Sequence, residues 1–126
     1  MDRAGNERLG NQELIIPVAA STRILECTMV AINGAGYAVP ASKAADLKIA
    51  GVAQEFVDNM SDEPGTEYAV VRRGAFVMNN DGTIKETDIL RDCYVSDATT
   101  VTITADGSSK AGVILGIEDD SVIVEI

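Results

Sequence analysis

The side chains able to do chemistry in this chain are few. They are two cysteines, Cys27 and Cys93, carboxylate runs at Glu118-Asp119-Asp120 and Asp62-Glu63, and one basic pair, Arg72-Arg73. Histidine is absent. That removes the commonest general base and the neutral nitrogen ligand together, so no Ser-His or Cys-His nucleophile pair can be built. Two cysteines far apart in sequence supply half a zinc site at most and are too few for a disulfide framework. They read as reduced, buried small hydrophobes. No glycine-rich loop leads into a Lys-Ser/Thr, which a phosphate cradle needs.

Carboxylates alone leave a calcium loop or a glycosidase acid pair. A calcium loop alternates ligands with spacers and a glycine, and neither run does. Both read instead as solvated, the first as a hairpin tip and the second as part of an exposed, mobile loop over residues 58–66. Arg72-Arg73 either offers a charge to an acidic protein or keeps a sheet edge from pairing with other chains. On one strand the two would point to opposite faces. The chemistry points to binding without turnover: no enzyme, no metal and no cofactor.

The elements that would position these residues are strands. Valine, isoleucine and alanine make up most of the apolar mass, aromatics are only 4%, and branched side chains suit stacked sheets. Short β-prone runs at 14–18, 28–32, 49–57, 68–78, 93–96, 101–104, 113–118 and 122–126 alternate with Gly, Asn and Asp turns. The fold class expected is all-β, a small single-domain barrel or sandwich with at most one or two short helical turns. Hairpin signals stand at Asn33-Gly34, Asn80-Asp81-Gly82 and Asp119-Asp120-Ser121, and Asp106-Gly107 marks a turn after the alternating residues 101–104. Residues 42–47 and 85–90 are the weak helix candidates, too short to be stable alone. Gly51, Gly74, Gly112 and Gly116 inside apolar runs mark bulges or close backbone approaches. An internal echo sets Ile24-Leu25 and Val30 beside Ile89-Leu90 and Val95, and Ala50-Gly51-Val52 beside Ala111-Gly112-Val113. A duplicated β-unit would explain it, and so would chance among apolar β sequences.

At 126 residues the chain suits one domain: residues 1–13 as a flexible polar arm, 14–126 as a single β-rich unit. The net charge of −10 argues against nucleic acid and against an anionic membrane surface. Residues 1–10 lack the apolar stretch of a secretory leader, which reads as synthesis in the cytoplasm.

One family shares the order of these features. After a polar arm come Leu14-Ile15-Ile16-Pro17-Val18, Ala50-Gly51-Val52-Ala53 and Arg73-Gly74-Ala75-Phe76-Val77. Asp88 to Val95, Ala111 to Gly116 and a terminal Val/Ile strand follow. Over about residues 14–126 this resembles the capsid decoration (cement) proteins of tailed bacteriophages. The resemblance implies a virion protein on the outer capsid surface that binds the major capsid protein between capsomers. It would act as a homotrimer and stabilise the expanded head against DNA pressure. A polar arm entering an apolar strand suits strand addition to a neighbour's sheet edge. Asn11, Gln12, Glu13, Leu14, Ile15 and Ile16, with Arg72 and Arg73, are therefore the expected contacts with the capsid or an adjacent copy. The competing reading makes 14–18 simply the first core strand. Another small virion part (tail-tube, head-completion or fibre-base domain) is the alternative function, followed by a free-standing ligand-binding β-module.

Overall fold

The computed structural model describes residues 13–126, and Asn11 and Gln12 of the expected contact set lie outside them. The fold class is the expected one, all-β. The first sheet comprises β1 (Glu13–Pro17), β3 (Met29–Ile32), β4 (Ala38–Pro40), β5 (Lys48–Ala53) and β7 (Tyr68–Arg72), in the order β1-β7-β5-β3-β4. Its two edges touch where Val18 bridges Ala38 in parallel. A two-stranded ribbon, β2 (Thr22–Ile24) with β6 (Val57–Asn59), is inserted in this half. The second half is a closed barrel of β8 (Ala75–Asn80), β9 (Asp92–Asp97), β10 (Thr100–Thr102), β11 (Lys110–Glu118) and β12 (Ser121–Glu125). Among the described residues no helix is long and apolar enough to cross a membrane.

The two halves repeat one topology. In each, the first strand pairs with the last, the last with the fourth, the fourth with the second and the second with the third. The third then meets the first in parallel: β4 at Val18, and β10 along β8. Hydrogen bonds repeat as well. Ala19 N–H donates to Ala38 O as Asp81 N–H does to Val101 O, and Val18 N–H donates to Glu67 O as Asn80 N–H does to Asp120 O. Cys27 N–H bonds Ala53 O while Ala53 N–H bonds Thr28 O; Leu90, Ile114 and Arg91 form the same pair of bonds. The Ala-Gly-Val echo falls on matching places. Val30, however, corresponds to Cys93 and not to Val95, since Val30 faces Gly51 and Cys93 faces Gly112 across the ladders.

Glycine is required at both of those places. A Cβ on Gly51 would run into the Arg72 carbonyl, and one on Gly112 into the Glu125 carbonyl. Each glycine lets a bulged strand press against the last strand of its half, which is how such a small sheet curls.

The cores follow from strand alternation. Ile16, Val18, Ile24, Val30 and Val71 fill the first half, and Met78, Cys93, Val95, Val101, Ile114, Val122 and Val124 fill the barrel. Met29, Ala31 and Val52, on the other face of β3 and β5, are buried in the barrel's cluster. The middle of the first sheet is thus covered on both faces, so β3 and β5 from Ile49 onward read as continuous apolar runs.

Several sequence expectations are corrected. The run 49–57 splits into β5 and β6, and 68–78 splits at Arg73-Gly74 into β7 and β8, which belong to different halves. Gly74, at φ 148, makes that break. Residues 42–47 form no helix. Asp46 is left-handed at φ 67, and the segment is held by Ser109, whose hydroxyl donates to Ala44 O (2.6 Å) and accepts from Leu47 N–H (2.9 Å). Within 85–90 only a 3-10 turn, Glu86–Asp88, forms. Asn33 does close the β3–β4 hairpin, its Oδ1 accepting N–H groups of Ala35 and Tyr37, and Asp119-Asp120 turns β11 into β12. Asn80-Asp81-Gly82 turns without a hairpin, because β8 pairs with β12 and β10. Asp106-Gly107 forms the expected turn, within the connection from β10 to β11.

Candidate functional site

Of the expected contact residues, Glu13, Leu14, Ile15 and Ile16 lie in β1, the outermost strand of the first sheet. β1 pairs with β7 in the register Glu13↔Arg72, Leu14↔Val71, Ile15↔Val70 and Ile16↔Ala69. Among the described residues its other side is an edge until Val18 reaches Ala38. Glu13, Leu14 and Ile15 are exposed and Ile16 is buried at 6%. The strand contributes Ile16 to the core, and among the described residues no strand pairs with its outer side before Val18. Arg72 lies opposite Glu13 at the same end. Arg73 stands past the strand's end, so the opposite-face argument does not extend to it. Its Nη1 donates to Ala50 O at 2.9 Å, fastening the junction between the halves to β5.

The carboxylate runs are surface features. Asp119-Asp120 is a two-residue turn, and Asp62-Glu63 lies in an exposed loop. That loop is tethered where the sequence reading expected mobility. Asn59, 1% exposed, donates through Nδ2 to the carbonyls of Val18, Ala19 and Glu63 and accepts the Thr66 hydroxyl at 2.7 Å. Among the described residues no group of three or more His, Cys, Asp or Glu is placed to hold a metal ion.

The cysteines differ from each other. Cys93 is fully buried, and burial pushes its thiol up to about 11. Cys27 is exposed, contrary to expectation, because it occupies a left-handed corner (φ 67) that turns its side chain away from the core. Asp97 holds its carboxyl below the ordinary value through the Thr99 backbone N–H. Burial pushes Asp81 up, but hydrogen bonds from Thr83 and Thr102 outweigh it and leave it lowered.

A cleft of about 500 Å3 opens at the seam between the halves, beside Ile49, Arg73, Lys110 and Glu125. Its cations are engaged: Arg73 on Ala50 O, Lys110 on Asp92 at 3.2 Å. The sequence reading missed an apolar corner on the second half. Leu90 is 72% exposed at φ 72, with Ile89 and Leu115 also exposed. Two adjacent large aliphatics before Arg91, and a Leu115 that breaks the β11 alternation, were the available signals.

The arrangement offers strand-edge pairing and apolar docking, with no constellation for acid–base or nucleophilic turnover among the described residues. Compared with protein-family models, with curated proteins and with solved structures, the chain matches none.

Proposed function

We propose that this chain is a structural virion protein of a tailed phage, not an enzyme. It binds the outer capsid surface between capsomers, together with the major capsid protein and its own copies, as a homotrimer. There it stabilises the expanded head against the pressure of packaged DNA. The observation that supports this most is the outer edge of β1, unpaired among the described residues, where Glu13, Leu14 and Ile15 are exposed on a strand anchored by Ile16. A strand held on one side and open on the other is ready to be extended by a neighbour's strand, and backbone hydrogen bonds then supply affinity. Clamping subunits needs a stiff body with several contact edges, and two fused five-stranded units supply one. The charge of −10 favours a solvent-facing position outside a shell packed with polyanion. Modest affinity per copy suffices, since linked contacts raise effective concentration.

The test is co-sedimentation of the purified chain with decoration-free, expanded heads, titrated to saturation. The expected result is saturable binding near one copy per capsid subunit, or one trimer per local three-fold position. A well-folded chain that does not bind expanded heads would end this reading and favour a connector or tail component. Deleting residues 1–13 should weaken binding, because it removes Glu13 and the start of the open edge. Undiminished binding would take that segment out of the mechanism.

A further inference from the structure

The seam cleft of about 500 Å3 lies where corresponding ends of the two halves converge. Gly51 and Gly112 occupy matching places, which makes Ile49 the counterpart of Lys110. The carbonyls that would meet a methyl at those glycines belong to Arg72 and Glu125, which makes Arg73 the counterpart of Ile126. Ile49, Lys110, Arg73 and Ile126 all line the cleft. Within each pair one residue is aliphatic and the other a cation. The shared backbone therefore accepts an aliphatic side chain at both places, and the repeat itself demands neither charge.

The charges in the cleft are compensated unevenly. Lys110 is paired with Asp92 at 3.2 Å. Arg73 has no carboxylate within ion-pair distance among the described residues. Its bond to Ala50 O fixes the guanidinium but neutralises nothing, and its remaining N–H groups have no partner among the described residues. Glu125 lines the same cleft and is likewise unpaired there. Two opposite charges thus share one cleft without meeting, beside the aliphatic surface of Ile49 and Val113. An apolar lining with a few fixed polar groups, in a volume within the usual ~300–1,000 Å3, is the build of a binding site.

We propose that this cleft binds a short peptide segment of a partner protein carrying one acidic and one basic side chain, the carboxylate on Arg73 and the cation on Glu125. Charge complementarity selects that occupant. An acidic run would suit Arg73 but meet Glu125 and the chain's net charge of −10. A basic run would meet Arg73 as a like charge. A segment with one charge of each sign answers both groups and is neutral, so the chain's overall field does not repel it. The guanidinium is already held in place, so little side-chain freedom is lost when it takes the carboxylate. The site uses side chains other than those of β1, and it holds whether or not the chain binds phage heads.

An NMR titration of the full chain with end-capped pentapeptides tests this: Gly-Glu-Gly-Lys-Gly against its double-Gln, double-Glu and double-Lys versions. The mixed peptide should give saturable shifts at the backbone amides of Gly74, Gly112 and Val113, and bind about tenfold or more tighter than the other three. Its affinity should fall as salt rises. Arg73→Gln and Glu125→Gln should each weaken it about tenfold, and Glu125→Gln should also improve binding of the double-Glu peptide. Arg73 also fastens the junction, so its variant is read beside its melting temperature. The Glu125 side chain bonds nothing among the described residues, so Glu125→Gln tests the site with the fold intact. Arg23→Gln, whose partner Asp58 lies on the β2–β6 ribbon, should change nothing. Equal binding of all four peptides, no shifts at millimolar peptide, or affinity unmoved in both cleft variants overturns the site. Free glutamate or lysine binding as tightly as the mixed peptide overturns the peptide assignment. Peptide binding without head binding would end the capsid reading alone, and head binding without peptide binding would end this one alone.

Discussion

At the residue scale, two glycines and two cysteines divide the work of the repeat. Gly51 and Gly112 sit where a last-strand carbonyl leaves no room for a methyl group. Gly51→Ala and Gly112→Ala should each destabilise by about 2–3 kcal/mol, because the neighbour in the way is backbone and cannot rotate aside. Denaturant melts of both variants check this, and similar losses at the two sites would show that the matching geometry has matching energetics. The thiols differ in the opposite sense. Cys27 should react with a thiol reagent in the native state and Cys93 only after unfolding, one equivalent followed by a second. Because burial raises the Cys93 thiol from 9.0 to about 11, its contribution to stability is complete below pH 9.0 and is lost as pH rises toward 11. Asp97 works the other way. Its carboxyl lies below 3.8 when folded, so its contribution is present above that value and falls away as pH drops through the folded value. A melting-temperature profile between pH 2 and 6 should show this acid limb, and Asp97→Asn should flatten it.

At the element scale, the segment after β6 depends on one side chain. Asn59 answers three carbonyls from within the core boundary, so the exposed loop at 60–66 is fastened at its root. Asn59→Leu keeps the volume but removes the donor that joins the three carbonyls, leaving Ala19 O without its partner while Val18 O keeps Gly65 N–H, and a cost of about 2–3 kcal/mol is expected. Proteolysis checks the element: cleavage within 60–66 should be slow in the wild type and fast in the variant. The strands themselves were readable because alternation and turn residues are local signals. The breaks at 54–56 and at Arg73-Gly74 were not, since polar residues such as Gln54, Glu55, Arg72 and Arg73 also occur on the outer face of an unbroken strand, and only the sheet assignment shows where one strand gives way to the next. Residues 42–47 failed as a helix for a nonlocal reason, the hold of Ser109 from the other half.

At the scale of the whole molecule, two five-stranded units behave as one because the outer face of the first enters the core of the second. Met29, Ala31 and Val52 are counted with Met78, Val95 and Val101 in a single apolar cluster. Urea unfolding should therefore be a single transition with coincident probes. Met29→Ala should lower it by about 2–4 kcal/mol without splitting it, since the side chain is fully buried at the seam. A biphasic curve in the wild type would mean that each unit is stable alone.

The amino-acid sequence by itself determined the all-β class, most strand positions, two hairpins, the absence of histidine chemistry and the matched Ala-Gly-Val places. All of these follow from residue type and short-range spacing. It also placed Leu14, Ile15 and Arg72 among the contact candidates, though not which of them share an edge. Tertiary structure decided the rest. The two halves share one strand order, Cys27 faces out while Cys93 faces in, Arg73 fastens the junction, and Leu90 stands exposed on a strained corner. Each of these depends on which distant strands pair and which sheet face is covered. Period-two alternation gives a strand two faces but cannot say whether one or both will meet another layer.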